Sequence, residues 1–339
     1  MTIPGLGAFP RVALAHRPTP LESMPNLSRA VGVEGLFVKR DDCTGLAMGG
    51  NKVRQLEFYF GEAVARRASV VLITGAVQSN YARCTAAAAA KLGLRCVIQL
   101  EDRVEGMPSE YHLSGNVLLD RLFGAEIHTY PEGEDESGAD RSLDALAQEL
   151  TAQGERPYVI HLSAGHSPLG ALAYVEAAGE LLEQASDMGV DLASVVVASG
   201  SAQTHAGLLV GLRALGRGEI RVRGICVRRR ADAQGERVLR CAHAVEDLLG
   251  LGGLVGPGDV NVSDGHLGPG YGRPTRESEE AILLAARHEG LVMDPVYTGK
   301  ALAGMLSFAR AGAFEGRPAV FLHTGGTPAL FAYGSSVSL

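Results

Sequence analysis

A lysine and the glycines ahead of it are the first residues here whose types and spacing could do chemistry. The stretch Cys43-Thr44-Gly45-Leu46-Ala47-Met48-Gly49-Gly50-Asn51-Lys52-Val53-Arg54 follows a short β-like run, Leu36-Phe37-Val38-Lys39, and leads into a helical pattern. A lysine at the end of a glycine-rich turn is placed by the backbone, which makes its amine a candidate for covalent chemistry. The same glycines could instead cradle a phosphate. A Walker loop has four residues between its glycines, then Lys and Ser/Thr. Counted from Gly45 and Gly50, Asn51 stands where that lysine belongs and Lys52 where the hydroxyl belongs, so this loop is excluded. Taken alone, Lys52 is either a surface lysine at a turn or a Schiff-base lysine whose site lowers its pKa.

A second stretch suits an anion. After a strand pattern over 194–197 come Ala198-Ser199-Gly200-Ser201-Ala202-Gln203-Thr204-His205-Ala206-Gly207 and a helix. Small residues let backbone N–H groups converge, the helix start supplies positive dipole, and Ser201 and Thr204 supply hydroxyls, which together fit a phosphate dianion. G-x-G-x-x-G is lacking, so no dinucleotide site is read; a capped strand-to-helix turn is the plainer alternative. The run Gly75-Ala76-Val77-Gln78-Ser79-Asn80-Tyr81 likewise opens a helix and could offer N–H groups and the Ser79 hydroxyl to a carboxylate. Asp294-Pro295-Val296-Tyr297-Thr298-Gly299-Lys300 and His323-Thr324-Gly325-Gly326-Thr327-Pro328 close later units. Capping explains each stretch singly, but not their occurrence together with a glycine-placed lysine.

The elements that must position these residues alternate along the chain. Strand 36–39, helix 54–67, strand 70–74, a helix from near Ser79 with alanines at 86–90, strand 96–100, helix 113–123, strand 126–128, helix 139–152 and strand 158–160 form one series. Helix 169–185, strand 193–198, helix 204–215, strand 221–227, helices 232–249, 275–289 and 299–311 and strand 319–323 form another. Residues 18–28 read as a turn and a short helix, and 250–274 as one long irregular stretch. Continuous apolar strands between helices predict parallel βαβ units, hence an α/β protein of two doubly wound open sheets. In such sheets ligands gather at the carboxyl ends of the strands, where these turns fall.

Composition narrows the partners. With 339 residues, 46% hydrophobic and 20% charged, the chain is an ordinary globular one, long enough for two cores. A net charge of −7 argues against broad nucleic-acid binding and leaves room for a local cationic pocket. No apolar stretch reaches bilayer length and residues 1–17 lack signal-peptide character, so a cytoplasmic protein is expected. Five cysteines without paired spacing suggest buried, reduced thiols. His161 and His166 lack the one-face spacing of a helical metal pair, and no metal is expected.

Taken together, Val38-Lys39-Arg40-Asp41-Asp42, Gly49-Gly50-Asn51-Lys52, Gln78-Ser79-Asn80, Asp294-Pro295-Val296-Tyr297 and His323-Thr324-Gly325-Gly326 resemble the motifs of a pyridoxal-phosphate family. That family groups D-cysteine desulfhydrase, 1-aminocyclopropane-1-carboxylate deaminase and L-cysteate sulfo-lyase. The resemblance covers nearly the whole chain, in order. It implies the tryptophan-synthase β-like fold, type II, with residues 1–52 and 165–339 forming a large cofactor domain and 53–164 a small inserted one. It also implies a small amino-acid substrate and a homodimer or larger assembly.

By that resemblance Lys52 would carry pyridoxal 5'-phosphate as a Schiff base and move the α-proton. The phosphate would lie on Gly200, Ser201, Ala202, Gln203 and Thr204, Asn80 would approach the phenolic oxygen, and Tyr297 would stack near the ring. Gln78, Ser79 and Asn80 would hold the substrate carboxylate, with Tyr271 over the site. Ala202 and Gln203 depart from the further glycines common in this loop. Arg83 would face either the pocket or solvent.

The reaction expected is a β-elimination. In the cyclopropane deaminases an acid follows the tyrosine of D-P-V-Y and keeps the ring nitrogen protonated; here Thr298 stands there, so a neutral hydroxyl, from Thr298 or Thr324, is the partner. Where many desulfhydrases show other residues, this chain has Tyr81, Gly165-His166-Ser167 and Arg273, groups that suit a sulfonate. The lead expectation is therefore L-cysteate cleaved to pyruvate, sulfite and ammonia. D-cysteine desulfhydrase activity follows closely, and the deaminase and a non-catalytic binding module stand further back.

Overall fold

Val70–Ala76 is buried at all seven positions, as befits a strand covered on both faces. It is the third strand of a chain that runs β1 (Leu21–Ser23), α1 (Pro25–Val31), β2 (Leu36–Lys39), α2 (Asn51–Ala65), β3 (Val70–Ala76), α3 (Asn80–Leu92), β4 (Arg95–Glu101), α4 (Gly115–Leu122), β5 (Glu126–Tyr130), α5 (Glu136–Ala152) and β6 (Pro157–Ile160). Beyond these lie α6 (Leu172–Asp187), β7 (Ser194–Ser199), α7 (Gln203–Ala214), β8 (Arg221–Cys226), α8 (Ala231–Leu249), β9 (Asn261–Ser263), α9 (Arg276–Glu289), α10 (Thr298–Arg310), β10 (Ala319–Leu322) and α11 (Thr327–Ala332). This computed structural model describes residues 3–334.

Two sheets result. The smaller has the order β5-β4-β3-β6 and is parallel throughout. The larger has the order β1-β2-β10-β7-β8-β9, parallel except for the antiparallel edge strand β1. The smaller sheet is built entirely from sequence between β2 and β7, so it interrupts the larger one. One apolar cluster runs through both, from Val71 and Ile73 in the small sheet to Val195 and Val197 in the large. A second cluster covers the other face of the large sheet, around Phe321, Leu302 and Met305.

Three departures from the sequence expectation have local causes. Residues 21–23 form β1 because Leu21 and Ser23 find Lys39 and Phe37 across the ladder, and tertiary pairing overrides local propensity. Helix α2 starts at Asn51 and not 54, so Lys52 lies in its first turn. The long stretch 250–274 is not wholly irregular: Asn261–Ser263 adds an edge strand beside β8. Cys43 is exposed; Cys84, Cys96 and Cys226 are buried.

The position of α7, which carries the anion-type loop, is set by a close crossing. A Cβ on Gly207 would lie 2.2 Å from Ala171 O, and one on Gly211 2.6 Å from Val175 O of α6. Only glycine lets the two helices approach so closely. Among the described residues no helix is long and apolar enough to cross a membrane, and no group of His, Cys, Asp and Glu could hold a metal ion.

Candidate active site

The turn before Lys52 is wound by four successive left-handed residues, Ala47 (φ 49), Met48 (φ 67), Gly49 (φ 70) and Gly50 (φ 115). At Gly49 a Cβ would come 1.9 Å from Asp42 O, so glycine is obligatory there. Gly50 N donates to Asp41 O at 3.1 Å and Asn51 N to Thr324 O at 3.0 Å, which pins the turn to both neighbouring strand ends. Behind it sits a buried ion network. Arg54 donates to Asp41 Oδ1 (3.1 Å) and to both oxygens of Glu180 (2.7 and 2.9 Å), while Lys39 reaches Glu180, Gln184 and Thr19 O. Against the upward pull of burial, Arg54 and Lys39 hold the Glu180 carboxyl down at about 2.

Lys52 itself is half-buried and meets no carboxylate among the described residues. Its Nζ donates to Gln55 Oε1 at 3.2 Å and lies 4.6 Å from the centroid of the Tyr81 ring. Burial draws its pKa down to about 8. A usable share of the amine is therefore neutral near pH 7, as a nucleophile or base requires.

Gln55 continues the line, its Nε2 donating to Thr204 Oγ1 at 2.8 Å, and Asn51 Nδ2 donates to the same oxygen at 2.9 Å. With both lone pairs taken, the Thr204 hydroxyl has its proton to give, and an anion is what accepts it. Ala202, at φ 77, turns the chain into the first residue of α7, a helix of 12 residues whose amino end faces this place. These observations fit a phosphate ester seated on residues 200–204. From outside, Arg229 Nη1 and Arg237 Nε donate to Gly200 O (3.2 Å) and Ser201 O (3.5 Å).

On the small-sheet side, Ser79 caps α3 by accepting from Ala82 N at 3.1 Å. Asn80 Oδ1 accepts from Arg83 Nη1 (3.1 Å) and Asn116 Nδ2 (3.0 Å), which leaves its Nδ2 as the donor without a partner. Arg83 faces neither pocket nor solvent: fully buried, it donates to Gly49 O at 2.7 Å and ties α3 to the turn of Lys52.

Across the cleft, the Tyr271 and Tyr297 hydroxyls meet at 2.6 Å, and burial raises both phenols above their ordinary range. Each tyrosine is set by a buried charge. The Asp294 carboxylate accepts from the N–H groups of Val296, Tyr297 and Thr298 and from the Thr298 hydroxyl (2.7 Å). The Lys300 ammonium donates to Leu267 O and Gly270 O, both at 2.7 Å, and so holds the loop that carries Tyr271. Burial lowers that amine to about 8, with Asp294 opposing.

One cleft thus collects Lys52, Ser79, Asn80, Tyr81, Gly200, Ser201, Ala202, Thr204, Tyr271, Tyr297 and Thr324. Five sequence candidates lie outside its lining. Gln78 is spent on Tyr111 O, Ser114 O and Asn116 N, and Gln203 donates to the Tyr59 hydroxyl. The Thr298 hydroxyl is committed to Asp294, so that of the two threonines expected to partner the ring nitrogen it is Thr324 that lines the cleft. His166 stacks on His161, ring centroids 3.9 Å apart, in a separate cavity with Arg240 and Cys241. Arg273 turns away to donate to Glu105 O.

The cleft's own charges went unread in the sequence. Glu136, at the start of α5, accepts from Arg228 (2.7 Å), Arg237 (3.0 Å) and Arg229. Burial works to raise its carboxyl, and the arginines outweigh it. Arg103, two residues after Glu101, lines the same space. Both Arg228-Arg229 and Arg103 follow the carboxyl ends of parallel strands, β8 and β4, and that position was the available signal.

The class follows from comparison with known proteins. The family described as pyridoxal-phosphate dependent enzyme matches residues 12–325, and the chain belongs to it. Its cofactor is pyridoxal 5'-phosphate, for which Lys52 and residues 200–204 have the right chemistry. The chain is 45% identical to the D-cysteine desulfhydrase of Salmonella choleraesuis (strain SC-B67), over 98% of this chain and 99% of that one. A crystal structure of a 1-aminocyclopropane-1-carboxylate (ACC) deaminase homologue superposes with a TM-score of 0.88 at 38% identity, covering 98% and 97% of the two chains. A threonine deaminase from T.th., at 20% identity and a TM-score of 0.63 over 92% and 93%, shares the fold. The fold is the tryptophan-synthase β-like, type II arrangement, and the protein is a pyridoxal-phosphate-dependent carbon–sulfur lyase.

Proposed function

We propose that this lyase eliminates the β-sulfur substituent of a cysteine-type amino acid, with D-cysteine giving pyruvate, sulfide and ammonia. The observation that carries the elimination is the cleft's carboxylate: Glu136 is the acid in its lining, and three arginines hold it. Among the described residues of the lining no acid is left to keep the cofactor's ring nitrogen protonated, and the Thr324 hydroxyl is the neutral partner at hand. A weaker electron sink favours a reaction in which the leaving group takes the charge away over the opening of a cyclopropane. D-cysteine as substrate is supported by the full-length desulfhydrase relative.

Bound on Lys52, the cofactor supplies a sink for the charge left at the α-carbon. The chain's own groups do the rest. The Lys52 amine, near half-neutral at pH 8, takes the α-proton. Ser79 and the amino end of α3 hold the substrate carboxylate, and Thr204 with residues 200–204 holds the phosphate. The amide Nδ2 of Asn80, left without a partner, would donate to the cofactor's phenolic oxygen. Tyr271 and Tyr297 close the far side and exclude water.

A second reading, L-cysteate cleaved to pyruvate, sulfite and ammonia, is favoured by the arginines of the cleft, Arg103 above all. It no longer rests on Arg273 and His166. Release of 2-oxo acid from D-cysteine, L-cysteine, L-cysteate and 1-aminocyclopropane-1-carboxylate, with sulfide, sulfite and ammonia assayed in the same samples, tests both. Sulfide from D-cysteine is expected; ammonia and 2-oxobutanoate from the cyclopropane alone would sink the elimination.

We also propose a cytoplasmic homodimer, with residues 53–164 as an inserted domain within 1–52 and 165–339. Exposed Leu118, Leu122 and Phe331 are apolar surface that a second copy would cover. Sedimentation equilibrium tests the dimer, and limited proteolysis near residues 53 and 165 tests the division.

A further inference from the structure

Tyr271 reaches the cleft from a backbone that does little to fix it. Gly268, Gly270 and Gly272 all lie in the left-handed region, at φ 63, 139 and 66, so the tyrosine sits in a run of the least restrained residue type. Between β9 and α9 the segment bonds mostly to itself, Leu267 N to Asp264 O at 3.0 Å and Arg273 N to Gly270 O at 3.4 Å. Its ends are tied down: Asp264 accepts from Ala231 N, and Arg273 donates to Glu105 O. Across 266–271, among the described residues, the hydrogen bonds from outside come from Tyr297 and Lys300.

Those two residues stand three apart at the start of α10, a helix built into the core under the large sheet. The Tyr297 hydroxyl meets that of Tyr271, while the Lys300 Nζ reaches the carbonyls of Leu267 and Gly270, the latter directly before Tyr271. Lys300 is fully buried and lies outside the lining of the cleft. No carboxylate bonds its ammonium among the described residues; Asp294 acts on it through space. A buried charge spent on two carbonyls is costly, and charge-assisted bonds are what it gains: they are stronger than a neutral donor would make. The cost is met where the loop most needs an anchor.

We infer that Lys300 is a positioning residue of this lyase, holding the loop through Leu267 O and Gly270 O so that the Tyr271 hydroxyl stays on that of Tyr297. It does this without touching substrate or cofactor. The inference rests on the β-elimination proposed above, in which the two tyrosines close the cleft. A loop freed by about 1 Å would misplace the hydroxyl and cost up to about 100-fold in rate.

The test is a double-mutant cycle on kcat/KM for pyruvate release from D-cysteine by the holoenzyme, in the wild type, Lys300→Met, Tyr271→Phe and the double variant. Hydrogen exchange of residues 264–273 is followed in the same proteins. Lys300→Met is expected to lose about 10–100-fold and to speed exchange in that segment, with β7 and β10 unchanged. The double variant should lie within about threefold of the worse single one, because a hydroxyl already removed cannot be misplaced. Lys300→Gln, which keeps an N–H for one carbonyl, should recover part of the loss, and it carries the same cycle if Lys300→Met does not fold. Losses that multiply in the double variant would overturn the inference, as would unaltered turnover or unaltered exchange in Lys300→Met. No pyruvate from the wild type would sink the elimination itself, and the exchange of 264–273 would still decide whether Lys300 holds the loop.

Discussion

Lys39 and Lys52 stand on either side of one turn, and burial pulls the pKa of both downward. Their surroundings differ in one respect. Lys39 is given a carboxylate, Glu180 at 2.5 Å, along with Gln184 and Thr19 O, and Asp41 adds its field. Lys52 is given an amide and the face of a tyrosine. Burial alone does not make a reactive amine; burial with the counter-ion withheld does. The paired lysine holds the turn, and the unpaired one is what the turn presents.

The comparison breaks most visibly at Lys52. Lys52→Ala is expected to lower pyruvate release by about 10³-fold or more with little change in the urea midpoint, because the side chain holds no ion pair and only one long bond, to Gln55. Normal turnover in that variant would remove the lysine from the chemistry. On the paired side the sign reverses. Arg54→Met strips Asp41 and Glu180 of their buried partner and should cost about 3–5 kcal/mol in urea unfolding, the usual penalty for an orphaned buried charge.

Gln55→Glu sharpens the contrast by giving Lys52 the carboxylate it lacks. An opposite charge so close should raise the amine's pKa by about 1 unit or more. The readout is the rate at which the apo-protein captures cofactor, followed by absorbance. Only the neutral amine attacks, so in the wild type the rate climbs with pH and levels near 8; in Gln55→Glu the bend should move up, and an unmoved bend would mean that counter-ion pairing does not govern this lysine. The smallest effect on stability belongs to Ser79→Ala, which removes the cap of α3 and should cost about 1 kcal/mol in urea unfolding.

What could be read from the sequence divides along the same line. Glycines at 49 and 50 announce Lys52 because a left-handed turn leaves a mark in the residue types. The strand–helix alternation announces the two sheets because buried parallel strands are continuously apolar. Arg103 and Glu136 leave no such mark. Each reads as an ordinary charge, and it becomes part of the site only where the two sheets bring distant segments together: Glu136 meets arginines from the far side of β8. Arg273 and His166 show the converse. They differ from the family pattern in type, but the backbone aims Arg273 at Glu105 O and leaves His166 against His161, which no spacing rule shows.

The register of the large sheet carries a consequence for how the molecule is made. The strand before Lys52, β2, has β10 as its parallel neighbour, Leu36 opposite Ala319, about 280 residues later. At roughly 5–20 residues per second of synthesis, the segment bearing Lys52 waits about 15–55 s for the strand that completes its sheet. Thr324, which holds Asn51 N through its carbonyl, arrives just after that strand. The turn of Lys52 is therefore completed only once residue 324 has been made, and a product truncated before β10 should emerge colourless.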